Sequence, residues 1–89
     1  MDRKTRSKTV REAPEMAAFL RRTFRAMTRR AVEGDDNVLA ELLALRADLD
    51  AAIDAAARGL HEFGYSWTYL GEAAGMTRQA ARQRWGATS

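Results

Sequence analysis

The side chains best suited to recognising another molecule lie close together near the C-terminal end of the chain. Three of them carry the groups that read base edges in DNA: Arg78, Gln79 and Gln83. Arginine pairs with guanine N7 and O6, and glutamine pairs with adenine N6 and N7. The remaining polar residues of this segment are suited to phosphate contacts: Thr77, Arg82 and Arg84. The chemistry predicted here is non-covalent recognition.

Local signals predict two short helices that would position these side chains. Ser66 is a good N-cap, and the apolar residues that follow it recur at helical spacing, so a first helix is expected over residues 66 to 74. Gly75 can adopt the left-handed conformation that ends such a helix. Thr77 can cap a second helix that runs to about Trp85.

Small residues predict that the two short helices cross closely. Gly71 lies on the first helix and Ala81 on the second, and neither has a large side chain. Leu70, Met76 and Trp85 are expected to form the wedge between them. With Ala81 and Trp85 turned inward, helical spacing leaves Arg78, Gln79, Arg82 and Gln83 on the outer face.

Residues 64 to 86 resemble the helix-turn-helix segments of small actinobacterial and actinophage DNA-binding proteins. The shared run is Ser-Trp-x-x-Leu-Gly-x-Ala-x-Gly-Met-Thr-Arg-Gln-Ala-Ala. It covers about a quarter of the chain. The resemblance implies a recognition helix over about 77 to 85 in the major groove. The generic pattern has an apolar residue nine positions after Gly75; Arg84 stands there, and Trp85 is expected to take over its packing role. The alternative is a terminal amphipathic helix with a solvated basic face.

Charge is unevenly distributed along the 89 residues, whose formal net charge is +3. Residues 1 to 34 carry ten basic and four acidic residues, residues 35 to 63 carry two and seven, and residues 64 to 89 carry three and one. Two basic ends around an acidic middle fit a protein whose ends face phosphate. The absence of cysteine excludes a disulfide framework, and no apolar run could span a bilayer. A cytoplasmic protein located in the nucleoid is expected.

Residues 1 to 12 are predicted to form a flexible basic arm, because they contain too little apolar surface to offset the entropy of ordering. The arm is expected to contact DNA phosphates through five side chains: Arg3, Lys4, Arg6, Lys8 and Arg11.

Residues 13 to 63 are predicted to form a long helical hairpin. Apolar residues recur at helical spacing from Pro14 to Glu33 and again, over three heptads, up to Phe63. Three arginines share the opposite face of the first helix: Arg22, Arg25 and Arg29. They are either solvated, phosphate contacts, or loosely paired with the acidic second helix. Because one hairpin leaves much apolar surface uncovered, a homodimer through both helices is expected.

No catalytic constellation is found in the sequence, and no enzyme activity, cofactor or metal is expected. His61 is the only histidine and is expected to lie on the surface. The aspartates of the second helix, Asp48, Asp50 and Asp54, do not converge as oxygen ligands must and are expected to be solvated.

Taken together, the sequence predicts an all-α protein, a long helical hairpin followed by a C-terminal helix-turn-helix over residues 64 to 89. The predicted function is sequence-preferring binding of duplex DNA, as a small transcriptional regulator or a nucleoid-associated protein. The alternative is a helical protein–protein interaction module that engages another protein, such as a component of the transcription machinery.

Overall fold

Four helices make up the structure, a computed structural model that describes residues 2 to 86, with side chains from residue 12 onward. The helices are α1 (Asp2–Val32), α2 (Asn37–Phe63), α3 (Trp67–Ala74) and α4 (Arg78–Trp85). No strand occurs among the described residues, so the all-α prediction is confirmed. No helix in this part of the chain combines the length and the apolar composition needed to cross a membrane.

The flexible arm over residues 1 to 12 stays a prediction, but α1 begins at Asp2, earlier than the start near Pro14 that the sequence predicted. The physical reason is that residues 2 to 13 contain no glycine or proline to stop a helix. Pro14 lies inside α1, where it removes one backbone donor without ending the helix. The side chains of the five basic arm residues lie outside the described part, so their contact with phosphate stays a prediction.

The chain divides into two compact units, Met1–Leu43 and Ala44–Ser89. In the first unit the turn after α1 is closed by backbone hydrogen bonds from Gly34 to Ala31 and from Asp35 to Arg30. Arg30 Nε also lies 3.5 Å from Asp35 Oδ2. Val38, at the start of α2, is buried.

Large apolar side chains of both long helices remain exposed. Met16, Phe19 and Leu20 are each more than half exposed in α1, and Leu49 is 53% exposed in α2. The pairing of the two helices as a hairpin, and its dimerisation, stay predictions.

The second unit has a small core where the end of α2 meets α3 and α4. Ala57, Leu70, Ala81 and Trp85 are buried together. Trp67 and Met76 are partly buried and pack against this cluster. All of the polar residues predicted to read bases lie on α4, so this core determines how they are presented.

Candidate nucleic-acid interface

The two short helices are fixed at their ends by the residues that the sequence indicated. The Ser66 hydroxyl accepts a hydrogen bond from the backbone N–H of Tyr69 at 3.0 Å, and Thr77 Oγ1 accepts one from Ala80 at 3.0 Å. Gly75 ends α3 in the left-handed region, with φ 71° and ψ 30°. Both predicted caps and the predicted turn glycine are therefore confirmed. We call residues 64 to 86 the α3–α4 unit.

Gly71 allows the turn to fold back onto α3. The Met76 backbone N–H donates to the Gly71 carbonyl at 2.7 Å. A Cβ atom at Gly71 would lie 2.8 Å from the Met76 carbonyl oxygen and 3.0 Å from that of Thr77. Both distances are shorter than van der Waals contact, so the close approach predicted for this position requires glycine.

The inner face of α4 is formed by Ala81, which is fully buried, and Trp85, which is 5% exposed. Leu70 of α3 is buried in the same cluster, as the predicted wedge requires. Trp85 is therefore an inward-facing residue of α4, as the sequence predicted. Burial of residues 81 and 85 fixes the rotation of α4 about its axis.

The outer face of α4 carries the four residues predicted to lie there, and all four are exposed: Arg78, Gln79, Arg82 and Gln83. Three of these side chains, with Gly86, line one shallow surface depression: Gln79, Arg82 and Gln83. The structure thus brings guanidinium and amide groups together on one side of a short helix. Their contact with DNA stays a prediction.

Two other residues predicted to contact phosphate, the N-cap Thr77 and Arg84 of α4, already have partners within the chain. Thr77 uses its hydroxyl oxygen as the cap acceptor, although its hydroxyl proton can still be donated. Arg84 Nε lies 3.5 Å from Asp54 Oδ1 of α2, and about half of the Arg84 side chain remains exposed. Arg84 therefore has a competing partner that the sequence did not indicate.

Asp54 and Arg58 connect α2 to the C-terminal end of α4. The Trp85 indole N–H donates to Asp54 Oδ1 at 2.8 Å, and Arg58 Nε donates to the Trp85 carbonyl at 3.2 Å. The Trp85 hydrogen bond lowers the pKa of the Asp54 carboxyl; desolvation partly opposes this, and Arg84 and Arg58 lower it further. Asp54 was expected to be solvated; its side chain is 31% exposed, and it also accepts a hydrogen bond within the chain.

His61 lies one turn further along α2 and differs from the surface residue that was expected. Its ring stacks on Trp67 with centroids 3.7 Å apart and an interplanar angle of 17°. Its Nδ1 lies 2.8 Å from the Tyr65 carbonyl oxygen, so Nδ1 carries the proton and donates. His61 thus packs α2 against the start of α3. No group of three or more potential ligands that could hold a metal ion occurs among the described residues.

Asp54, Arg58 and His61 were missed as a set, although their spacing of four and three residues places them on one face of α2. That spacing could have indicated that all three face the same neighbouring segment. It could not have identified the partner, because Asp54 and Trp85 are 31 positions apart.

An exposed aromatic cluster lies at the junction of α2 and α3. Phe63 is 82% exposed, and its ring centroid is 6.2 Å from that of Tyr65. Tyr65 stacks on Tyr69 at 5.1 Å. Elsewhere in the second compact unit, Ala44–Ser89, an apolar groove is lined in part by Ile53, Leu60 and Leu70. These surfaces are suited to apolar partners, in contrast to the polar face of α4.

Comparison of the chain with protein-family models, with curated proteins and with solved structures found no match.

Proposed function

We propose that the chain binds duplex DNA, with the α3–α4 unit acting as a helix-turn-helix and α4 as its recognition helix. The observation that carries the proposal is the exposed set of arginine and glutamine side chains on α4, opposite the buried Ala81 and Trp85. An α-helix with its side chains is about 10–12 Å wide, which matches a major groove about 12 Å wide.

Within this proposal, Arg78, Gln79 and Gln83 read base edges, and Thr77 and Arg82 contact phosphates. The basic residues at the start of α1 add phosphate contacts that raise affinity without reading sequence. Such a protein acts as a small transcriptional regulator or as a nucleoid-associated protein. Mapping its sites on a chromosome distinguishes the two, because a regulator has few strong sites and a nucleoid protein has thousands.

The test begins with selection of bound duplexes from a randomised pool, which defines a preferred site. Changing Gln79 or Arg78 to alanine should then cost about 1 to 3 kcal/mol on that site. Binding of Gln79→Ala to random duplex should change much less. Arg46→Ala is the matched control for Arg78→Ala, since it removes the same charge from an exposed position on α2. Failure to enrich any site, or equal losses on preferred and random DNA, would contradict the assignment.

We propose further that the protein acts as a homodimer through α1 and α2. Leu49, Ile53 and Leu60 are each more than 40% exposed, and a second copy would bury them. Two-fold symmetry would present two recognition helices to one DNA face and predict a palindromic site. Sedimentation equilibrium at tens of micromolar tests this. A species near 9.9 kDa, the mass of one chain, would contradict the dimer.

The second candidate is a helical protein–protein interaction module, and the exposed aromatic cluster of Phe63, Tyr65 and Tyr69 favours it. Salt dependence separates the two functions. Retention on DNA or heparin should weaken steeply as salt rises, because counterions are released on binding, whereas an apolar protein contact should weaken little.

A further inference from the structure

The carboxylate of Asp54, on α2, contacts the last turn of α4. One of its oxygens, Oδ1, accepts the Trp85 indole N–H at 2.8 Å and lies 3.5 Å from Arg84 Nε. Both partners lie in the last turn of α4. The Asp54 side chain of α2 therefore contacts both Trp85, which is buried, and the neighbouring guanidinium of Arg84.

The contact with Trp85 bears on which residues face outward. Successive residues of an α-helix are about 100° apart around its axis, so a small rotation of α4 would change which side chains face outward. The indole hydrogen bond on one side and the Arg58 hydrogen bond to the Trp85 carbonyl on the other restrain that rotation. Arg58 also places a cation at the negative end of the α4 dipole.

The contact with Arg84 bears on phosphate binding. A guanidinium beside a carboxylate is partly neutralised, and it has to leave that carboxylate before its charge is available to a DNA phosphate. Phosphate contacts add affinity for every sequence alike. An acidic residue that occupies Arg84 therefore lowers affinity for preferred and random duplex alike, whereas its contact with Trp85 bears on sequence preference through the orientation of α4.

We propose that Asp54 is a specificity-determining positioning residue, which orients α4 through Trp85 and keeps Arg84 away from the DNA backbone. The inference rests on the proposed DNA binding by α4. It assigns to an acidic side chain outside the recognition helix a role in the ratio of specific to non-specific affinity.

Asp54→Asn separates the two roles, because the asparagine carbonyl can still accept the indole hydrogen bond while the negative charge is lost. Arg84 is then released. Affinity for random duplex should rise by up to roughly eightfold at 0.1 M salt, and the slope of log K against log salt should steepen by about 0.9, the value for one added phosphate contact. Affinity for the preferred site should rise by a similar factor, so the specificity ratio should stay close to that of the unaltered chain, because the orientation of α4 is kept.

Two matched variants isolate Arg84 as the cause. Asp50→Asn removes the same charge one helical turn earlier on α2, at an exposed position, and should leave the salt slope unchanged. In the double variant Asp54→Asn with Arg84→Gln, the gain should disappear, so that the protein binds random duplex like Arg84→Gln alone. An unchanged slope in Asp54→Asn would overturn the proposal. So would an equal gain in Asp50→Asn, or a gain that persists without Arg84.

The orienting role has a readout that needs no DNA. The indole N–H resonance of Trp85 in the free protein should keep its position in Asp54→Asn and shift in Asp54→Ala, which has no acceptor. Equal spectra of the alanine variant and the unaltered chain would overturn the orienting role. If no variant binds DNA, the proposed function fails and the control of Arg84 fails with it, whereas the indole spectra still decide whether Asp54 holds Trp85.

Discussion

Replacing Gly71 by alanine should destabilise the α3–α4 unit, although alanine is normally the better helix residue. The added Cβ would lie 2.8 Å and 3.0 Å from the carbonyl oxygens of Met76 and Thr77. Both obstacles are backbone atoms of the turn, and they cannot move aside by a side-chain rotation. Relief requires the turn to shift away from α3, which would loosen the contact between Leu70 and Ala81.

The expected magnitude follows from two opposing terms. Overpacking a well-packed position costs about 1–3 kcal/mol, and the higher helix propensity of alanine returns up to about 1 kcal/mol. Because the obstacles are rigid, the upper half of the first range applies. The free energy of unfolding should fall by about 1–2 kcal/mol, which lowers the melting temperature by about 4–8 °C per kcal/mol in a domain of this size.

Gly59→Ala is the matched control, since it makes the same substitution inside α2. No atom lies within 4 Å of a Cβ built at Gly59. Only the propensity term then remains, and this variant should be more stable than the unaltered chain by roughly 0.5–1 kcal/mol. The two substitutions are thus expected to have opposite signs.

Urea denaturation followed by circular dichroism measures both variants against the unaltered chain. The reasoning about Gly71 would be refuted if its alanine variant were as stable as the unaltered chain or more stable. If alanine stabilised the chain at both glycines, the turn after α3 would be free to move away, and the short distances from the added Cβ to the carbonyl oxygens of Met76 and Thr77 would carry no energetic cost.

The remaining predictions concern the caps and the carboxylate. Ser66→Ala and Thr77→Ala should each cost about 1 kcal/mol in urea denaturation, because each removes the acceptor of a first-turn N–H; Thr68→Ala, an exposed threonine within α3, is the control and should change stability much less. Asp54 has a lowered pKa in the folded chain, so its contribution to stability is present above its ordinary pKa of 3.8 and is lost as pH falls through the lower folded value. The free energy of unfolding should therefore fall more on acidification in the unaltered chain than in Asp54→Asn; an equal fall in the asparagine variant would assign the effect to another group.

Features set by neighbouring residues were predictable from the sequence. Ser66, Gly75 and Thr77 act within one helical turn of their own positions, so their caps and the turn could be read from residue type and spacing. The inward placement of Ala81 and Trp85 followed in the same way, because helical periodicity alone assigns the faces of so short a helix.

Features set by distant residues could not be predicted. The residues next to Asp54 in the sequence are those expected around a solvated aspartate. Its hydrogen-bond partner, Trp85, is 31 positions away and is brought close only by the fold. His61 likewise gains its role from the Trp67 ring. The start of α1 lies earlier than predicted for a different reason: low apolar content predicts weak packing, but it does not prevent the backbone from forming a helix.

The stacking of His61 on Trp67 and the burial of Trp85 also make the second unit optically distinct. These are the only two tryptophans of the chain, and both lie within Ala44–Ser89. Tryptophan fluorescence therefore reports on the second unit alone, whereas far-UV circular dichroism is dominated by α1 and α2, which contain 31 and 27 residues. Unfolding curves recorded by the two methods will coincide if the chain unfolds as one cooperative body and will separate if its units melt independently. The natural sequence thus carries its own pair of spectroscopic probes for the cooperativity between its halves.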